Sequence, residues 1–100
     1  MVALEAVSQA PAPHVLVVDD DQVILQIHKA VLEGQGYSVT TAEDGETALR
    51  LVGADRFDVI LTDLDMPGLN GLALLEGVRA FDLDVPFLLI TGAPSTKSAI

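Results

Sequence analysis

Three aspartates in a row, Asp19-Asp20-Asp21, close an apolar run, His14-Val15-Leu16-Val17-Val18. A fourth, Asp63, closes a second such run, Val59-Ile60-Leu61-Thr62, and Asp65 follows two residues later. A hydroxyl, Thr91, closes a third, Phe87-Leu88-Leu89-Ile90. Carboxylates gathered in one place repel each other and are costly unless a cation joins them. An all-oxygen donor set suits Mg2+, which takes one or two carboxylates, keeps several waters and accepts phosphate oxygens. The chemistry these residue types support is phosphoryl transfer. Asp63 is the nucleophile, the paired acids share its ion, and Thr91 donates a hydrogen bond to the phosphate formed. Each piece alone has a plainer reading. The Asp triplet is good helix-capping material, Asp65 ahead of Met66-Pro67 is good turn material, and Thr91 has ordinary β-propensity.

The elements must bring these residues together. Unbroken apolar runs, rather than alternating ones, indicate strands covered on both faces. Strands are expected at residues 14–18, 37–41, 58–62 and 86–91. A first helix starts from a cap at Asp20 or Asp21 and runs to about Glu33, with Ile24, Ile27 and Val31 as its apolar face and Ala30 beside them. Gly34 and Gly36 stop it. A second starts at Glu43 or Asp44 and carries Ala48, Leu49 and Val52. A third runs from Leu72 to about Phe81, with Leu74, Leu75 and Val78 facing in. Ser95 is a good cap for a fourth. Strands alternating with helices give an α/β fold, a doubly wound parallel sheet with right-handed crossovers. In such sheets ligands bind at the carboxyl ends of the strands. If strands one and three are neighbours, the acids converge there.

Composition narrows the function classes. The chain has 100 residues, half of them hydrophobic and a fifth charged, which suits one globular domain. Fifteen acidic residues against five basic ones give a net charge of −10, which repels nucleic acid and anionic membranes. The absence of cysteine excludes disulfides and thiolate metal sites. No apolar run reaches membrane-spanning length, and the first residues lack a positively charged leader, so a cytoplasmic protein is expected. Residues 1–13, rich in Ala and Pro, read as a tail, and residues 14–100 as the domain. His14 and His28 read as surface or packing residues. Lys29, Arg50, Arg56 and Arg79 read as solvated charges.

The motifs Val15-Leu16-Val17-Val18-Asp19-Asp20-Asp21, Asp58-Val59-Ile60-Leu61-Thr62-Asp63-Leu64-Asp65-Met66-Pro67-Gly68, Asn70-Gly71 and Pro86-Phe87-Leu88-Leu89-Ile90-Thr91-Gly92, in this order, resemble the receiver domains of two-component response regulators. The resemblance implies a flavodoxin-like fold with strand order 2-1-3-4. It implies that Asp63 accepts phosphate from a sensor histidine kinase or phosphotransfer protein. It assigns Mg2+ to Asp20 and Asp63 directly, to Asp19 in assistance, and to the backbone carbonyl of Asp65. Thr91 becomes the switch hydroxyl, with the small Gly92 behind it. Asn70-Gly71 stands where the family often has Asp-Gly.

The resemblance also implies a fifth strand and fifth helix, a Lys that senses the phosphate, and a switch aromatic. None of these is found by Ile100, and Lys97 belongs to the opening turn of the fourth helix. An output domain is expected beyond Ile100. A sheet without the fifth strand would leave strand four as an exposed edge. Pairing of edges between chains, a swapped element, or docking of residues 1–13 is then expected to compensate. Two other functions compete with the phosphoacceptor: a binding or oligomerisation module without efficient phosphorylation, and a haloacid-dehalogenase-like phosphatase, which Asp63-Leu64-Asp65 also suggests. Met66-Pro67 departs from that second motif.

Overall fold

The computed structural model describes residues 11–82 and 84–90. Seven elements alternate along them: β1 (His14–Val18), α1 (Gln22–Gly34), β2 (Ser38–Ala42), α2 (Gly45–Ala54), β3 (Val59–Asp63), α3 (Gly71–Phe81) and β4 (Phe87–Ile90). The strands form one parallel sheet in the order β2-β1-β3-β4. This is the doubly wound arrangement that the alternation predicts. Thr91, Gly92, Ser95 and Lys97, and residues 1–10 of the tail, lie outside the described residues.

Strand periodicity sorts β1 onto two faces. Leu16 and Val18 join Ala42, Ala48, Phe57, Ile60, Met66, Leu74, Val78 and Val85 in a core under α2 and α3. Val15 and Val17 join Leu25 in a second core under α1, with Leu32, Val39, Val59 and Leu61 against it. Buried on both sides, β1 has to be continuously apolar, and its residues from Val15 to Val18 are at most 1% exposed.

Helix ends follow local chemistry. Asp21 caps α1, its Oδ1 accepting from the backbone N–H of Val23 at 2.9 Å and of Ile24 at 3.4 Å. Asp44 caps α2 by accepting from Thr47 N–H at 2.7 Å, and Asn70 caps α3 by accepting from Ala73 N–H at 3.0 Å. At the end of α1, Gly36 N–H donates to Glu33 O and Tyr37 N–H to Leu32 O. Gly36 takes the left-handed conformation this double closure needs, with φ +95°.

Four expectations need correction. The inward face of α1 is Leu25 and Leu32, with Ile24 half-buried; Ile27 and Val31 are 51% and 59% exposed. A run so rich in aliphatics contains two stripes of similar hydropathy, and only the approach of the sheet selects between them. Strands β2 and β3 each begin and end one residue later than expected, so Asp63 is the last residue of β3 and not the first of the loop. Helix α3 begins at Gly71, one residue early, because Asn70 serves as its cap. Arg79 is not merely solvated: its Nη1 donates to Asp82 O at 3.2 Å and Val85 O at 2.7 Å, tying the end of α3 to the approach of β4.

Candidate functional site

Sheet register decides which acids meet. Val15 pairs with Val59, Leu16 with Ile60, Val17 with Leu61 and Val18 with Thr62. One step further, Asp19 falls opposite Asp63. Both continue the odd-numbered face, that of α1, because side chains alternate along a strand. On the other side, Ile90 pairs with Asp63 across β3 and β4. The backbone carries this register past the strands: Asp19 N–H donates to Ala42 O at 3.1 Å and Leu64 N–H to Ile90 O at 2.9 Å.

Asp19, Asp20 and Asp63 come together. One carboxylate oxygen from each lies within 4.8 Å of the others, with Asp20 exposed and the other two half-buried. Asp21 stays apart because its carboxylate is spent on the α1 cap. The Asp65 side chain does not join the trio, and its backbone N–H donates to Asp63 Oδ1 at 3.3 Å. Asp21 N–H likewise donates to Asp19 Oδ1 at 2.9 Å. Each bond steadies a carboxylate in one rotamer.

Burial pushes the Asp19 carboxyl above its ordinary value of 3.8, the Asp21 N–H bond partly offsets this, and the charges of Asp63 and Asp20 add to the rise. Packing of like charges is what a cation relieves. The donor set fits Mg2+. Asp19, Asp20 and Asp63 would supply its carboxylate oxygens, and water would complete its shell.

Two close approaches hold the floor of the site. A Cβ on Gly71 would stand 2.6 Å from the carbonyl oxygen of Asp63 and 2.9 Å from Leu89 Cδ2. Only Gly lets α3 begin against the end of β3. Gly68, with φ +74°, turns the loop between them.

The crevice itself is lined by Asp19, Asp20, Asp21, Ile24, His28, Asp63 and Ile90. Ile24, His28 and Ile90 are not legible as site residues from the sequence alone. The available signal is helical spacing, since 21, 24 and 28 fall on one side of α1. His14 is a packing residue. Its ring lies 4.5 Å from that of Phe57, its Nδ1 is 3.0 Å from Arg56 O and its Nε2 2.7 Å from Thr40 Oγ1.

An acidic trio at the carboxyl edge of a 2-1-3-4 parallel sheet defines a receiver-like module, and the comparisons agree. Residues 15–100 match the model of the response regulator receiver domain, and the chain belongs to that family, whose members act in two-component signal transduction. It is 38% identical over 89 residues to the transcriptional regulatory protein PrrA of Mycobacterium tuberculosis, covering 89% of this chain and 38% of that one. The chain thus spans a little over a third of the length of such curated relatives, which are regulators by name. Among solved structures, chemotaxis protein CheY4 of Vibrio cholerae superposes with a TM-score of 0.82 at 35% identity, over 89% of this chain and 76% of that one. TrrA of Thermotoga maritima, solved with Mg2+ and BeF, superposes with a TM-score of 0.79 at 33% identity, over 88% and 76%. Among the described residues, no helix is long and apolar enough to cross a membrane.

Proposed function

We propose that Asp63 is the residue on which this receiver takes up a phosphoryl group from a phosphohistidine of a sensor kinase or phosphotransfer protein. A carboxylate oxygen of Asp63 attacks phosphorus, the P–N bond breaks, and its electron pair leaves on the imidazole nitrogen. An acyl phosphate results. The single observation behind this reading is the meeting of Asp63 with Asp19 and Asp20 at the carboxyl edge of the sheet. Mg2+ held by Asp19, Asp20, Asp63 and the carbonyl of Asp65 supplies positive charge to the phosphoryl oxygens when bound. Thr91, the next residue after β4, is the hydroxyl that answers to the phosphate. TrrA, solved with Mg2+ and BeF, supports the choice of ion and ligand class.

In this reading residues 14–100 form the receiver and residues 1–13 a tail. The domain works in the cytoplasm and catalyses only its own phosphorylation and dephosphorylation. An output module joined to it carries the response. Acetyl phosphate with Mg2+ tests the central claim: one phosphoryl group is added, it maps to Asp63, and Asp63→Asn abolishes it. Failure of the unaltered chain to label would leave only the binding-module reading.

A second reading, self-association through the β4 edge, is favoured by the exposure of Leu88 and Leu89, 54% and 37%, on that strand.

A further inference from the structure

Helices α2 and α3 end at one cavity, on the opposite edge of the sheet from the acidic trio. It holds about 300 Å³ and opens between their last turns, beside the approaches to β3 and β4. Its floor is Val52, Phe57, Ile60 and Val85, the last three at most 8% exposed. Its rim holds Asp55 and Asp82, the residues that close α2 and α3, with Arg56 and Phe81. Hydrogen bonds fix this rim. Asp55 Oδ1 accepts from Arg56 N–H at 2.7 Å, and Asp82 Oδ1 accepts from Asp84 N–H at 2.9 Å and Val85 N–H at 3.2 Å. These bonds engage one oxygen of each carboxylate and leave the second for a ligand. Arg79 spends its Nη1 on the carbonyls of Asp82 and Val85, bracing the wall between them. The Phe81 ring leans on α2, 3.8 Å from where a Cβ on Gly53 would stand, and Phe81 is 64% exposed.

Charge at this mouth is one-sided. The carboxyl end of a helix carries partial negative charge, and its last carbonyls lack helical partners. Two such ends meet here, each with a carboxylate at its cap, and α2 has no basic residue in its last turn. Arg56 brings one positive charge against them. An exposed aromatic face adds a further attraction for a cation. Below the mouth the lining is apolar and suits a hydrocarbon ring. We propose that this cavity binds a small organic cation, a one-ring amine or amidine whose apolar body rests on Phe57, Ile60 and Val85 and whose charge sits between Asp55 and Asp82 beside Phe81. A volume of about 300 Å³ is at the small end for ligand sites, so one ring with its charged group fills it. The site stands apart from Asp63 and does not depend on its phosphorylation.

The test is titration of the 100-residue chain with benzamidine in excess Mg2+, followed by NMR of the Phe81 ring and the backbone amides. The expected result is saturable movement of the Phe81 ring together with the Asp82 and Val85 amides. Benzyl alcohol, which keeps the ring without the charge, binds about tenfold more weakly, and benzoate more weakly still. Asp55→Asn, which keeps an oxygen for Arg56 N–H, lowers benzamidine affinity about threefold. Three results would overturn the proposal: no saturable movement at Phe81 and Val85, benzyl alcohol or the Asp55→Asn chain matching the parent with benzamidine, or movement confined to the Asp19, Asp20 and Asp63 amides. The last would show a cation drawn to the acidic trio alone. The charged and neutral probes are compared on the unaltered chain, so a poorly folded variant cannot mask the answer.

Discussion

Asp19, Asp20 and Asp21 are one residue type in three consecutive positions, and the fold gives them different work. Asp21 accepts from two backbone N–H groups and caps a helix, whereas Asp19 and Asp20 turn toward Asp63. Asp21→Ala should therefore cost about 1 kcal/mol of stability in urea melts while leaving Mg2+ binding nearly intact. Asp20→Asn should do the reverse. Asp19 also sets a pH dependence. Its carboxyl titrates above 3.8 in the folded chain because burial disfavours the charge. Its stabilising contribution is thus full below 3.8, where it is protonated folded or unfolded, and is lost as pH rises through the raised folded value. Asp44 runs the other way. Its carboxyl, held low by the Thr47 bonds, contributes stability above 3.8 that is lost as pH falls through its depressed value. In metal-free urea melts across acid pH, Asp19→Asn should remove the first slope and Asp44→Asn the second. Mg2+ favours the ionised trio, so its stabilising effect should fade as pH drops through the Asp19 window.

Helix α3 and strand β3 are coupled through Gly71. The sequence marks that position only as part of an Asn-Gly turn, but the close approach to the Asp63 carbonyl explains why a side chain is excluded. Gly71→Ala should cost about 2–3 kcal/mol, since the obstacle is backbone and cannot rotate away. It should also shift the Asp63 amide resonance, which a cap variant such as Asn70→Ser should not. The contrast separates displacement of Asp63 from simple weakening of α3. Leu74→Ala, at a fully buried position of the same helix, should cost roughly 3 kcal/mol in the same melts and leave the Asp63 resonance in place.

Among the described residues, the two faces of the sheet are covered unequally. The core under α2 and α3 has ten buried members among the described residues, against three under α1. Leu88 on the α1 face of β4, and Val23, Ile27 and Val31 on α1, remain 51% exposed or more. If chains associate through this side, sedimentation equilibrium should show concentration-dependent dimers, and Leu88→Lys should return them to monomers without loss of helical CD. A monomer at every concentration would remove self-association as a function. The −10 charge opposes association, so dimers should be favoured as salt rises, because screening weakens repulsion between like-charged copies.

The acidic constellation was legible in the sequence because its signals are local. An apolar run that ends in Asp is a buried strand delivering a carboxylate to an edge, and β1 and β3 both read that way from composition alone. The strand-helix alternation likewise fixed a parallel sheet, since parallel neighbours need crossovers. Other features were decided only by tertiary contact. Which stripe of α1 is inward depended on how the helix settles on Val15 and Val17, because hydropathy alone ranks Leu25 and Ile27 alike. That choice in turn put His28 into the crevice. The partnership of Asp19 with Asp63 is a matter of register across 44 positions of chain, and no local pattern carries it. Chain chemistry determined which residues carry the charge, while the packing of α1 and the register of β1 against β3 decided which of them share a site.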